Sequence, residues 1–140
     1  MSSELRVGDV MTKNVIVIAT GSPLTDAARM MKRCNIGSIV VVEGKKALGI
    51  ITERDIVHKV IAAGKDPKKV TVDDAMSKPL RVIKPTASLE EAARAMKGNK
   101  IKRLPVVNNG KELIGILSEG DIARLLPSVI DLIEERALAR

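Results

Sequence analysis

The stretch GIITERDIV, Gly49–Val57, has a near copy sixty-six residues further on, GILSEGDIA at Gly115–Ala123. Each holds a hydroxyl, two spacers and an aspartate, Thr52-x-x-Asp55 and Ser118-x-x-Asp121. Read locally, a hydroxyl followed three residues later by an acid, ahead of an apolar run, is a helix N-terminus. The hydroxyl caps orphan backbone N–H groups and the acid is favoured in the first turn. The same residues could instead face a ligand. Four residues leave both readings open, so the surrounding sequence has to decide.

Working outward, the copy extends over most of the chain. VGDVMTKNVIVIATGSPLTDAARMMKRCNIGSIVVVEGKKAL from Val7 lies over VDDAMSKPLRVIKPTASLEEAARAMKGNKIKRLPVVNNGKEL from Val72 at a constant shift of 65. Met11/Met76, Val17/Val82, Ile18/Ile83, Leu24/Leu89, Ala27-Ala28-Arg29/Ala92-Ala93-Arg94 and Val41-Val42/Val106-Val107 all match. One extra residue, assigned here to Ile114, moves the shift to 66 for the remainder. The chain therefore reads as a tandem of two homologous halves, 7–64 and 72–126, followed by an amphipathic C-terminal helix over 127–140 with Val129, Leu132, Ile133 and Leu138 on its apolar side.

Each half carries the same element pattern. VIVI and RVIKP read as short strands. Ser22-Pro23 opens a helix, with proline where a missing N–H costs least, and Ser88 with Glu91 forms a capping box for its counterpart. In that second helix Leu89, Ala92, Ala93 and Met96 share one face at helical spacing. SIVVVE and ALGIIT are β-branched runs around a glycine-containing turn, a hairpin. LPVVN and ELIGIL flank Asn109-Gly110, a tight-turn signal. The helix after the Thr52 or Ser118 cap completes a β-α-β-β-α unit, giving an α+β fold. Continuous apolar strands such as SIVVV suggest sheets covered on both faces, or with one face against the twin half. Since sixty residues are marginal alone, the halves are expected to pack sheet against sheet around one shared core.

Composition narrows the function. The 140 residues are 45% hydrophobic and 29% charged, a globular balance. MSSELRVGDVMT holds no signal-peptide core and no run approaches a membrane span, so a cytoplasmic location with no membrane partner is expected. Cys34 is the one cysteine and His58 the one histidine. That excludes an intrachain disulfide and argues against a cysteine or histidine metal site and against histidine acid–base chemistry. Cys34, next to Met30 and Met31, reads as core filling, and His58 as a helix-surface or interface residue. No Phe, Trp or Tyr is present to stack nucleic-acid bases. The net charge of +7 favours anionic partners. Neither a Gly-rich phosphate loop nor a nucleophile with a paired base occurs, so no enzymatic activity is expected.

DVMT, EAARAM, I-x-x-LPVV and GIL-S-x-x-D-I, in this order and twice over, resemble a pair of cystathionine-β-synthase (CBS) domains, the Bateman module, over roughly residues 6–126. The resemblance implies a stand-alone regulatory module that binds an adenosine-containing ligand (AMP, with ADP, ATP or S-adenosylmethionine as others) between its halves. It implies ribose contacts for Asp55 and Asp121 and phosphate or ribose contacts for Thr52 and Ser118. It places Ile36, Gly37 and Ser38, with Ile101, Lys102 and Arg103, against the adenine beside Leu104 and Pro105. Thr20, Ser22, Thr86 and Ala87 also line the site on this reading. Lys102 and Arg103 clamp phosphate, and Arg54 supplies charge to the first half, where Gly37 and Ser38 replace that pair. The chemistry is consistent: a carboxylate accepts two hydrogen bonds from a cis-diol, and a capped helix start offers N–H groups to phosphate.

The expected function is thus an adenine-nucleotide sensor that changes conformation and signals to a partner. A nucleic-acid-binding module using the positive charge, or a purely structural dimerisation module, are the alternatives. A homodimer is expected from the last helices, where Ile56, Val57, Val60 and Ile61, and Ile122, Leu125 and Leu126, are more apolar than one sheet face consumes.

Overall fold

The computed structural model describes residues 5–78 and 80–125, so the expected helix over 127–140 and Leu126 lie outside the described residues. In the first half, β1 (Val17–Ala19) leads to helix α2 (Leu24–Cys34), which ends at Asn35 in the left-handed conformation. Helix α1 is the short turn Val7–Val10 ahead of it. Strands β2 (Ser38–Glu43) and β3 (Lys46–Thr52) form the hairpin, turning at Gly44 with φ +60°. The sheet order is β1-β2-β3, with β1 parallel and β3 antiparallel to β2. After Thr52 comes the short helix α3 (Glu53–Asp55), continued by a π-helical segment, Ile56–Ile61.

The second half repeats this with α4 (Val72–Ala75), α5 (Leu89–Asn99), β4 (Arg103–Val107), β5 (Leu113–Ser118) and α6 (Glu119–Ala123). Its first strand shrinks to a single parallel bridge, Ile83 to Val106, equivalent to Ile18 with Val41.

Three details differ from the sequence reading. Both hairpins carry the same bulge, after Val41 opposite Leu48 and after Val106 opposite Ile114. Ile114 is therefore the counterpart of Leu48 and no insertion. The extra residue lies in the turn, where Lys111 takes φ 62° and its N–H donates to Asn108 O. A left-handed residue closing such a loop is the usual way to accommodate one more residue in a hairpin. On α5, Ala92 and Met96 are buried and Ala95 packs beside them, whereas Ala93 is exposed. Cys34 is exposed at the end of α2 and fills no core.

The expected single core is instead two. Ile18, Leu24, Ala27, Met31, Ile39, Val41, Ile51 and Val60 form one, and Ala92, Met96, Leu104, Val106 and Leu117 the other. The segments ahead of each half are exchanged. Val7 sits at 0% exposure in the second core, while Val72, Ala75 and Met76 belong to the first. The backbone seals the exchange symmetrically. Val7 N–H donates to Ala87 O and Val72 N–H to Ser22 O, both at 2.9 Å, and Thr12 bridges Ile116 as Ser77 bridges Ile50. Each Met lies on a strand glycine: a Cβ on Gly49 would come within 2.6 Å of Met76 Sδ, and Met11 crowds Gly115 in the same way. Strand glycines that admit a close neighbour are the reason for glycine at these positions. The opposite faces of β2 and β4, with Val40, Val42, Pro105 and Val107, are buried as well, so both sheets are covered on two sides. Lys46 pairs with its own counterpart Glu112, which marks the pseudo-two-fold axis between the halves.

Candidate functional site

The two aspartates are, with Ser38, the buried polar side chains of the described chain: Asp55 at 6% exposure and Asp121 at 4%. A buried carboxylate has to be bonded on both oxygens, and here part of the bonding comes from the opposite half. Asp55 accepts from Thr52 N–H at 2.9 Å, Thr52 Oγ1 at 3.0 Å, Lys59 Nζ at 2.9 Å and, across the joint, Ser77 Oγ at 3.1 Å. Lys59 Nζ also donates to Ala75 O at 3.1 Å. Asp121 accepts from Ser118 N–H at 2.9 Å, from the Arg124 guanidinium and, across the joint, from Thr12 Oγ1 at 3.4 Å. Cap and cross-half clamp are one structure.

Sequence reasoning overlooked Thr12 and Ser77. The available signal was their alignment at the shift of 65, each a hydroxyl directly after an aligned methionine. It overlooked Lys59 and Arg124 because these do not align with one another.

The residues predicted beside the motif do converge on it. Ser38 pairs with Thr52 and Arg103 with Ser118, and the Glu53 and Glu119 N–H groups donate to Gly37 O and Lys102 O at 3.0 Å. Lys102 and Arg103 are exposed next to Ser118, and Arg54 is exposed on α3. A groove of about 560 Å3 opens beside Ile36 and Gly37, walled by Ala28, Met31, Ile56 and Val57 with Glu53 and Lys32 at its rim.

Other predicted positions fall elsewhere. Ile101 packs on the second core, Leu104 is inside it and the Pro105 ring is fully buried, so these side chains are structural. Thr20 and Ser22 follow β1, which runs parallel to β2 and ends opposite Val42. They lie four strand residues from Ser38, about 13 Å from the aspartate motif. Thr20 Oγ1 and Gly21 N–H both donate to Asp73, the latter at 2.7 Å. These bonds hold the Asp73 carboxyl below the usual range, the hydroxyl contributing most. Thr86 and Ala87 give their carbonyls to Arg6 and Val7, and line a separate hollow of about 450 Å3 with Val82 and Ile83. Two of the first-turn amides expected to meet phosphate are occupied: Glu53 N–H is bonded to Gly37 O and Asp55 N–H to Thr52 Oγ1. Among the described residues, no three His, Cys, Asp or Glu side chains converge as a metal site, and no helix is long and apolar enough to cross a membrane.

The CBS domain family matches residues 7–62 and 72–128. The chain belongs to the CBS domain family, as a tandem pair. MK0525 of Methanopyrus kandleri is 40% identical over 133 residues, which are 92% of this chain and 66% of that protein. Among solved structures, the CBS domain pair of protein MJ0100, in complex with 5′-methylthioadenosine and S-adenosyl-L-methionine, superposes with a TM-score of 0.80 at 26% identity, covering 89% of this chain and 98% of that one. A hexameric CBS-CP12 protein from bloom-forming cyanobacteria gives a TM-score of 0.76 at 37% identity, covering 87% and 68%. This CBS pair shares its α+β tandem architecture with the MJ0100 pair.

Proposed function

We propose that this CBS pair is a regulatory sensor of an adenosine-containing ligand, AMP foremost, with ADP, ATP and S-adenosylmethionine as the other candidates. The observation that carries the reading is the placement of Asp55 and Asp121, each buried at a joint and bonded to a hydroxyl from the other half. A carboxylate is the natural acceptor of a ribose cis-diol. To take one, Asp55 or Asp121 exchanges its bond to Ser77 or Thr12, so occupancy changes what holds the halves together. That is a means of signalling, and it requires no reaction on the ligand. The groove beside Ile36 and Gly37 offers aliphatic walls for adenine. Lys102 and Arg103 make the second joint the better phosphate site, since a guanidinium fork and an ammonium reinforce each other on that anion. The MJ0100 pair, with two adenosine compounds bound, supports the ligand class.

We place the protein in the cytoplasm as a homodimer. Val57 and Ile61 on the last helix of the first half are 53% and 56% exposed, and Leu125, just after α6, is 39% exposed, while Val60 is core. A monomer in light scattering at micromolar concentration contradicts the dimer. For the ligand, calorimetry with AMP, ADP, ATP, S-adenosylmethionine and adenosine is decisive. At least one compound binds, and Asp121→Ala weakens it by about 2–4 kcal/mol through two lost charge-assisted hydrogen bonds. Absence of binding by every adenosine compound at millimolar concentration overturns the reading.

A further inference from the structure

The cations on the two aspartates are not repeats of each other. At the shift of 66 relating the last helices, Arg124 aligns with His58 and Lys59 with Leu125. Yet each half supplies one positive side chain to its aspartate. Lys59 reaches back four residues to Asp55 from the π-helical segment, and Arg124 reaches back three to Asp121 from the end of α6. Both spacings put the partners on one helix face. Two unaligned residues arriving at the same acceptor mark a requirement of the aspartate rather than a copy of the ancestral unit.

Each ion pair is lopsided. The Asp55 and Asp121 side chains are 8% and 3% exposed, whereas those of Lys59 and Arg124 are 45% and 71% exposed. The carboxylate stays in place and the cation has free space on the solvent side. Together with Ser77 or Thr12, the cation occupies the lone pairs that a ribose diol needs. A neutral nucleoside must displace it and gives nothing in return. A phosphorylated nucleoside displaces it and offers the released ammonium or guanidinium a new anionic partner, a stronger hydrogen bond than one to water.

We propose that Lys59 and Arg124 are specificity-determining residues, each held on its aspartate until a phosphorylated nucleoside transfers it to phosphate and takes the freed carboxylate with its ribose. The inference rests on the adenosine-sensor reading. It adds a selection for anionic ligands within that class, made by residues that lie outside the Ser/Thr-x-x-Asp motif.

The test is calorimetry on the full chain with AMP and adenosine as probes, alongside thermal unfolding, for wild type, Lys59→Met, Arg124→Met and the conservative Lys59→Arg and Arg124→Lys. Each Met variant is expected to bind AMP about tenfold more weakly at its joint and adenosine at least as well as wild type, the scale of one charge-assisted hydrogen bond. The conservative variants keep the wild-type AMP-to-adenosine ratio. Should a Met variant fail to fold, Lys59→Gln or Arg124→Gln, uncharged donors, take its place with the same expectation. Equal weakening of both probes, or an unchanged ratio, makes the cations structural counter-ions and overturns the inference alone. A wild-type protein that binds neither AMP nor adenosine overturns the inference, and the sensor reading falls with it only if ADP, ATP and S-adenosylmethionine fail to bind as well.

Discussion

The first strand is encoded at aligned positions in both halves, yet only the first half builds it. Thr20 N–H donates to Val42 O at 2.8 Å, extending β1 past Ala19. The aligned residue in the second half is Pro85, which has no N–H to donate, and Pro105 likewise stands where Val40 carries an amide. Between these two prolines only the Ile83 bonds remain, from its N–H to Pro105 O and from Val107 N–H to its carbonyl, both 3.0 Å. A second contrast lies at the exchanged segments. Asp73 clasps Thr20 and Gly21, but its counterpart in the first half is Gly8, packed directly on Pro85 with a hypothetical Cβ 3.2 Å from the proline ring. One joint is closed by a charged side chain and the other by close backbone contact. Two copies of one unit have thus kept the same topology while changing what closes each side.

The largest expected effect tests where the halves remain equivalent. Gly49→Val and Gly115→Val each place a branched side chain under Met76 or Met11 and against the carbonyl of Ser77 or Thr12. Overpacking at the exchanged segments is expected to cost about 2–3 kcal/mol in each case, read by urea denaturation. A large loss at one glycine and none at the other breaks the symmetry of the exchange.

A smaller effect is expected at the one-sided clasp. Thr20→Val removes the hydroxyl that does most to depress the Asp73 carboxyl. Because the folded-state value is lowered, the clasp's stabilisation is present above the unfolded-state value of about 3.9 and is lost as pH falls through the folded-state value. The variant is therefore less stable by about 1–1.5 kcal/mol at pH 7, and the difference fades in acid below that range. A pH-independent deficit in the same denaturation series assigns the loss to packing and not to the charged hydrogen bond.

The smallest effect sharpens the strand comparison. Pro85→Thr restores an amide facing Val107. The regained hydrogen bond offsets the lost proline rigidity, leaving net stability within about 0.5 kcal/mol of wild type. Hydrogen exchange at the new amide is expected to be protected. Fast exchange there shows that something other than the proline keeps the second half from forming its strand.

Much of this was legible from residue order alone. The β-branched runs, the two hairpins, the helices opening near Pro23 and Ser88 and the capped turns at Thr52 and Ser118 follow from local patterns, because the forces that form them act over a few residues. Identical residue types at constant spacing likewise exposed the tandem. Errors arose where the deciding partner is distant in the chain. Ile114 looked like an insertion because a bulge and a longer turn produce the same shift in an alignment, and only strand pairing separates them. Cys34 looked buried beside two methionines, but a helix position faces inward or outward according to what packs on it. Ala93 fell on the apolar stripe of α5, and the sheet met Ala95 instead. Thr20, Ser22, Thr86 and Ala87 were grouped with the aspartate motif although the parallel course of the first strand carries them to the other end of the sheet.

By itself, the sequence determined the repeated α+β unit, its element order and the two aspartates at the start of each last helix, since propensity, periodicity and capping are written in contiguous residues. Only the tertiary structure decided that the short helices at Val7 and Val72 cross into the opposite core, and hence that Thr12 and Ser77 hold the aspartates of the other half. A four-residue helix carries a hydrophobic side but no address. Val7 and Val72 are aligned residues, and Gly49 and Gly115 leave the same room for a methionine in both halves, so nothing local assigns a segment to a core. The assignment is visible only in the folded chain, where Val7 N–H is bonded to Ala87 O and Val72 N–H to Ser22 O across the joint.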